Sequence, residues 1–377
     1  MSAAELEPST KHPLMGARLS VLLKAISENG LPAGKHLPLF ALMMLSAAGR
    51  SPIHLLERSK HARVAENAPP MEDPVFVIGH WRSGTTHLHN LLGKSPAFGH
   101  ISPLASGLPD EILTLGTWLA PTLEKALPED RHVDRVAVTP DSPQEDEIPL
   151  ANLQNLSVFQ AVYFPKNFRK TFDRGVFFDG CSNAEIARWT RMVQHFAEKI
   201  ALHQGKPLLL IKNPVYTARI QRLKAIWPKA RFIHIRRNPY EVFVSTRNYY
   251  RKLLPELALQ RFDHVDIDQF VLETFTRLMD LYEEEKVGLG ADQLMEVSYE
   301  HLIREPIPVL KSVHDQLSLP EWDSAEKAIS DYLATIADYQ TNATTKVDAD
   351  IKEAVDHAWG PHVAKWRALE GLSADQA

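Results

Sequence analysis

Val75-Phe76-Val77-Ile78, Gly79-His80-Trp81-Arg82-Ser83-Gly84-Thr85-Thr86, His87-Leu88-His89-Asn90-Leu91-Leu92 is the stretch on which the reading of this chain turns. Four apolar residues in a row predict a short strand buried on both faces. A loop bounded by Gly79 and Gly84 follows, and Leu88, Leu91 and Leu92 then fall at helical spacing. Gly93 closes that helix, and Pro96 bars its continuation. Strand, glycine-bounded loop and helix together form a phosphate cradle, because loop N–H groups and the helix N-terminus converge on an anion.

A nucleotide loop of the G-x-x-x-x-G-K-[ST] type carries its Lys directly after the second glycine. Here Gly79 and Gly84 occupy the glycine positions and Thr86 the hydroxyl position, but Thr85 stands where the Lys belongs. The positive charge lies inside the loop, at Arg82. A Lys in the usual place reaches β- and γ-phosphates beside magnesium. An Arg within the loop, followed by hydroxyls, suits a single terminal phosphate held without metal. The bland alternative is a tight glycine turn ahead of an ordinary helix.

The 377 residues are 44% hydrophobic and 24% charged, the balance of a soluble globular protein. Net charge is −5, from 42 basic and 47 acidic residues, which argues against nucleic-acid binding but leaves room for a local basic pocket. Cys181 is the single cysteine, so no intrachain disulfide forms and a reducing, cytoplasmic compartment is expected. The N-terminus lacks a basic-then-apolar signal pattern. The longest apolar run, Leu37 to Ala48, is interrupted by Pro38 and falls short of the ~20 residues a bilayer span needs. No transmembrane segment is therefore expected. The run reads as a helix packed on the core, or as one in peripheral contact with a membrane or an amphiphilic ligand.

Residues 1–72 read as a helical N-terminal extension, closed by Ala68-Pro69-Pro70, and 73–377 as one α/β domain. Residues 94–150, rich in Pro and acidic residues, read as an irregular cover over a site. Leu208-Leu209-Leu210-Ile211, Phe232-Ile233-His234-Ile235 and Leu294-Met295-Glu296-Val297 predict further strands. Ile220, Leu223 and Trp227 share a helical face ended by Pro228. Ile267, Phe270, Val271, Leu278, Leu281 and Tyr282 form a long amphipathic stripe. Strands alternating with helices predict a central parallel sheet flanked by helices, with ligands beyond the carboxyl ends of the strands. The first strand runs into the Gly79–Thr86 loop, the second into Lys212-Asn213-Pro214, the third into Arg236-Arg237-Asn238-Pro239. One edge thus gathers loop N–H groups, a Lys and two Args, without the strand-end Asp that holds magnesium in nucleotide hydrolases.

Asn238 suits a helix N-cap and Pro239 the first helical position. Arg237 precedes that helix, and Ser245 lies about two turns inside it. The pair suits a phosphate; otherwise Arg237 caps or salt-bridges locally and Ser245 is a hydroxyl at the surface.

Taken with the loop, these residues match a known pattern. Gly79 to Thr86 resembles the 5′-phosphosulfate loop of sulfotransferases that use 3′-phosphoadenosine 5′-phosphosulfate (PAPS). Arg237-Asn238-Pro239-Tyr240-Glu241 through Ser245 resembles their 3′-phosphate motif. Val297-Ser298-Tyr299-Glu300-His301-Leu302 resembles the segment whose tyrosine approaches the adenine. The resemblance covers about residues 74–320 and is closest to the microbial-type branch. It implies a P-loop-like α/β fold and a donor site. Gly79, Trp81, Arg82, Ser83, Gly84, Thr85 and Thr86 would surround the 5′-phosphate, Arg237 and Ser245 would hold the 3′-phosphate, and Tyr299 would lie near the adenine. Lys212 would sit close to the transferring group.

The resemblance further implies metal-independent, in-line transfer of a sulfuryl group to a hydroxyl or amine of a small-molecule or lipid-like acceptor, with 3′,5′-bisphosphoadenosine (PAP) as product. Arg82, Lys212 and the loop N–H groups would stabilise the leaving phosphate. A general base is also needed. Animal cytosolic relatives place a His after the Lys of the second strand, but Asn213-Pro214 stand here. Other branches use a Glu downstream of the loop. Ser142-Pro143-Gln144-Glu145-Asp146-Glu147 offers Glu145 first and Glu147 second, with His100 third. Ser142 with Glu145 also fits a helix capping box. His80, inside the loop, is a further candidate to contact donor or acceptor. His87 and His89 are two apart on a helix, so they do not make a metal pair. Phe159, Tyr163, Phe164, Phe168 and Phe172 either line an apolar acceptor pocket or pack as core. The competing readings are a P-loop nucleotide kinase, which calls for a Lys after Gly84 and a magnesium-binding Asp, and a non-catalytic anion-binding scaffold.

Overall fold

A computed structural model describes residues 12–124, 139–140, 142–336 and 347–372. The chain divides into two compact units. One comprises Pro70–His100, Gln204–Arg251 and Asp266–Ala377; the other comprises Met1–Pro69, Ile101–His203 and Lys252–Val265.

The first of these units is built on a parallel sheet. Strands β1 (Val75–Ile78), β2 (Leu210–Lys212), β3 (Arg231–Arg236) and β4 (Leu294–Ser298) lie in the order β2-β1-β3-β4. Phe76 sits between Ile211 and Phe232, and Ile235 pairs with Val297. The second strand starts two residues later than its apolar run, after Leu209, which bridges Gly99 on one side and accepts from the Val75 amide of β1 on the other. Strand alternation sends Val75, Val77, Leu210, Ile233 and Ile235 to one face. There they pack with Leu88, Leu91 and Leu92 of the Thr85–Leu92 helix and with Leu310 and Val313 of the Pro306–Gln316 helix. Phe76, Phe232 and His234 fall on the other face. Phe76 stacks on Phe232 at 5.5 Å and meets Tyr216 edge-on, and His234 stacks on Tyr282 at 3.8 Å. Tyr282 belongs to the Ile267–Glu285 helix, whose Phe275 stacks in turn on Trp359 of the Ala349–Glu370 helix at 3.8 Å. The unit is thus an α/β arrangement with a central parallel sheet flanked by helices.

In the other unit, the N-terminal helices Leu19–Asn29, Leu37–Arg50 and Ile53–Ala65 are tied to the segment 101–203 by buried charge. Arg18 donates to Asp110 at 2.8 Å, Arg50 to Glu111 at 2.6 Å, and Lys199 lies 2.8 Å from Glu57. Glu57 also accepts from the Leu113 amide and the Thr114 hydroxyl. Removing one partner of such a pair strands a buried charge, at about 3–5 kcal/mol. Segment 94–150 is less irregular than its composition implies. Among the described residues it contains the Pro103–Gly107, Thr117–Glu124 and Glu147–Leu153 helices and a π-helical turn at Ile112–Gly116. Ile112, Leu113, Leu150 and Leu153 are buried, so apolar anchoring orders a segment that its prolines alone would leave open. The five aromatics Phe159, Tyr163, Phe164, Phe168 and Phe172 are all buried, and Phe164 meets Phe40 edge-on. They build core rather than an open acceptor pocket. Among the described residues, no single helix is long and apolar enough to cross a membrane.

Three buried histidines have a joint consequence. His12 accepts from the Leu14 amide and donates to the Leu257 carbonyl, His80 donates to the Trp81 carbonyl, and His234 lies in β3. Burial holds each imidazole down to about 4, from 6.5. Between those values the unfolded chain takes up protons that the folded chain refuses. Stability is therefore full above pH 6.5 and falls as pH drops toward 4, by about 1.4 kcal/mol per pH unit for each group. Calorimetric Tm should decline steadily on acidification from neutrality. A flat Tm over that range would show that these rings are not held neutral.

Candidate functional site

The loop after β1 is shaped by two left-handed glycines and one left-handed arginine. Gly79 has φ 142°, and a Cβ there would lie 2.6 Å from the Ile235 carbonyl oxygen of β3. The buried Thr217 hydroxyl accepts from the Gly79 amide at 2.9 Å and donates to the Gly79 carbonyl at 3.1 Å. Gly84, with φ 102°, caps the Thr85–Leu92 helix, and a Cβ there would run into the Tyr299 ring. Arg82 has φ 66° without being glycine. That conformation costs about 1–3 kcal/mol and persists only where neighbours over-determine it. Several do: the Ser83 hydroxyl donates to the His80 carbonyl at 2.8 Å, the Thr246 hydroxyl to the Trp81 carbonyl at 3.2 Å, and Arg237 Nη1 to the Arg82 carbonyl at 3.4 Å.

The side chains named from the sequence converge here. Arg82 Nε donates to Ser245 Oγ at 3.1 Å. Buried Lys212, at the end of β2, donates to Thr86 Oγ1 at 3.3 Å. The Arg237 guanidinium lies over the Tyr299 ring, 4.4 Å from its centroid, and donates through Nε and Nη2 to Glu241 at 3.0 and 2.5 Å. Asn238 caps the Pro239–Leu257 helix through the Tyr240 amide, and its own amide donates to Glu300. Burial raises the Tyr299 phenol, against the lowering effect of Arg237. Gly79, Arg82, Ser83, Gly84, Thr85, Thr86, Lys212, Arg237, Ser245 and Tyr299 therefore gather at the carboxyl edge of one sheet, within one unit. Trp81 is buried in the same loop.

Several sequence expectations read differently in three dimensions. Ser245 bonds Arg82 rather than Arg237, whose fork is turned to Glu241. His80 is buried against Phe275, with its Nε2 enclosed and unpartnered, so it sits beneath the loop rather than on its ligand face. His87 meets the Tyr299 ring while His89 faces the Leu210 carbonyl. The capping box at Ser142 does not form: its hydroxyl accepts from the Thr139 amide, and the helix begins at Glu147 behind Asp146. Glu147 is buried and accepts from the Val158 amide at 3.0 Å, while Glu145 is half-buried just ahead of that helix. Both belong to the unit that contains Ile101–His203. His100 is fixed at the start of β2, where the Gln204 side chain bonds both its amide and its carbonyl. Two groups of the described residues have spacing that a cation could use, His61–His195–Glu198 and His54–Asp110–Glu111. In the second, Arg18 and Arg50 already neutralise the carboxylates.

The sequence reading missed Thr217, Glu241 and Glu300. Glu241 was visible four residues after Arg237, the spacing of a helical ion pair. Nothing in the local sequence of Thr217 signals its grip on Gly79.

Comparison with known proteins agrees with this geometry. Two solved structures share the fold. They are sulfotransferase STF9 from Mycobacterium avium (TM-score 0.64, 16% identity, 93% of this chain and 96% of that one) and sulfotransferase STF1 from Mycobacterium tuberculosis H37Rv (TM-score 0.64, 18% identity, 91% of each). The omega-hydroxy-beta-dihydromenaquinone-9 sulfotransferase Stf3 of Mycobacterium bovis is 29% identical over 305 residues, 81% of this chain and 77% of the relative. The model of the sulfotransferase family matches residues 74–324, the span that carries β1, the loop, both arginines, Lys212 and Tyr299, and the chain belongs to that family.

Proposed function

We propose that this protein transfers a sulfuryl group from PAPS to a hydroxyl of an apolar, lipid-like acceptor. The observation that carries the reading is the Arg82–Ser245 contact, which joins the loop after β1 to the Pro239–Leu257 helix in a single cationic cradle. Arg82, Lys212 and Arg237 bring positive charge to it, and the Gly84-capped helix start adds N–H groups. These donors fit a nucleotide bearing phosphates at both ends of its ribose. When bound, PAPS supplies the sulfuryl group and leaves as PAP.

The chain's own residues then have separable roles. Arg82, Ser83, Gly84, Thr85 and Thr86 would hold the 5′-phosphate, with Gly79 and Trp81 setting the loop. Lys212, already anchored to Thr86, would face the bridging oxygen and offset the charge that develops there. Arg237 and Ser245 would hold the 3′-phosphate, with Tyr299 beside the adenine. Arg82, Lys212 and Arg237 would balance the phosphate charge that a kinase loop meets with a Lys after its second glycine and a magnesium ion. Glu145 is the proposed base. Glu147 is the second choice because its carboxylate already receives the Val158 amide beside its own helix. The acceptor class rests on the Stf3 relative, whose name specifies a hydroxylated menaquinone. A cytoplasmic site of action, with membrane contact to reach such an acceptor, completes the proposal.

Arg237→Ala should weaken binding of PAP by about 10–100-fold, the scale of a lost charge-assisted pair, and leave adenosine 5′-phosphate nearly unaffected. Equal losses for the two nucleotides would remove the 3′-phosphate role. Glu145→Gln should lower turnover of PAPS with a hydroxylated isoprenoid quinone by about 10²–10⁴, with donor affinity retained. Unchanged turnover would move the base role to Glu147 or His100. Turnover confined to small polar acceptors would contradict the acceptor class.

A further inference from the structure

The Leu37–Arg50 helix carries an unusual outer face. Phe40, Met43, Ala47 and Arg50 point inward, and every exposed residue from Leu37 to Gly49 is apolar or glycine. Leu37, Ala41, Leu42, Leu45 and Ala48 recur at helical spacing along that face, with Leu45 71% exposed. A helix face turned to water ordinarily carries charge. The next helix, Ile53–Ala65, adds Leu55 and Leu56 at 71% and 65% exposure. Trp118, 77% exposed, follows the Ile112–Gly116 turn, whose Leu113 amide and Thr114 hydroxyl donate to Glu57 of that helix.

Charge along these two helices is one-sided. Between Leu31 and Ala65 the bases are Lys35, Arg50, Arg58, Lys60 and Arg63, and the single acid is Glu57. Arg50 and Glu57 are consumed inside the unit by Glu111 and Lys199. What remains exposed is Lys35, Arg58, Lys60 and Arg63, all positive, on a chain whose net charge is −5.

We infer that these two helices form a docking surface for an anionic lipid membrane, lying in the interface with the leucines among the upper acyl chains and the bases among the headgroups. Together the helices have the length and composition of a bilayer span, but they bend by 51°. Spanning would also break the Arg50–Glu111 and Glu57–Lys199 pairs that fix their inner flank. A second copy of the chain fits less well. A two-fold contact pairs the same patch on both subunits, so Arg58, Lys60 and Arg63 would face their own like charges. Exposed tryptophan beside the patch suits the headgroup layer. The inference does not depend on the proposed reaction, because vesicle binding is read without turnover.

Co-sedimentation with phosphatidylcholine vesicles, with and without phosphatidylglycerol, tests it on the full chain. The protein should bind the anionic vesicles, and added salt should weaken the binding. Leu42→Glu with Leu45→Glu should weaken it by about a hundredfold or more, the loss expected for two leucines no longer buried. Arg58→Ala, Lys60→Ala and Arg63→Ala together should cost about a hundredfold on anionic vesicles and little on phosphatidylcholine alone. These substitutions are on exposed positions, and circular dichroism with PAP binding checks that each variant is folded. No binding by the parent protein, or equal binding by parent and both variants, overturns the inference. So does a concentration-dependent dimer that the leucine variant abolishes, which would make this face the chain's own interface.

Discussion

The site depends on the backbone of Arg82. A non-glycine residue at φ 66° is held there only because its surroundings leave no alternative. Behind it, the Thr217 hydroxyl clamps both backbone groups of Gly79, and a carbonyl of β3 leaves no room for a side chain at that position. Ahead of it, the Tyr299 ring lies against Gly84, so the helix must start there. The turn between these fixed points aims the guanidinium at Ser245. If the loop relaxed, Arg82 would leave Ser245 and Arg237 would lose the Arg82 carbonyl.

Charge is managed as tightly as shape. Three cations on one sheet edge repel one another, and fixed partners hold each in place against that repulsion. Lys212 leans on Thr86, Arg82 on Ser245, and Arg237 on Glu241 and the Tyr299 ring. These partners are mostly neutral or π-rich, so the edge keeps a net positive field for an incoming anion. Glu241 is the exception. It orients the Arg237 fork through two donors, and a phosphate would have to share or displace it.

Much of the fold was legible because its signals are local. Apolar runs of strand length and a glycine-bounded loop identify β1 and its helix, and the residues after each run mark the carboxyl edge. The Asn238-Pro239 cap was equally readable, since capping involves neighbours in sequence. What was not legible depends on partners far along the chain. Leu209 pairs with Gly99, far back along the chain, and the Thr217 clamp spans 138 positions. Among the described residues of 101–150, helical structure follows from burying Ile112, Leu113 and Leu150 in a unit that also gathers the N-terminal helices. The aromatic run 159–172 leaves two readings open in the sequence. Its composition suits a ligand pocket as well as a core, and only burial decides. Arg237 and Ser245 have the right interval for a shared phosphate, yet their resting bonds run to Glu241 and Arg82.

If loop and helix form one cradle for a nucleotide phosphorylated at both 3′ and 5′ positions, the second phosphate must add affinity. Calorimetric titration with PAP and then adenosine 5′-phosphate, with a chelator present throughout, measures this directly. PAP should bind tightly, at least about tenfold more strongly than adenosine 5′-phosphate, since a charge-assisted contact to the second phosphate is worth about 1.5–3 kcal/mol. Equal affinity for the two nucleotides, or binding that requires added magnesium, would contradict it.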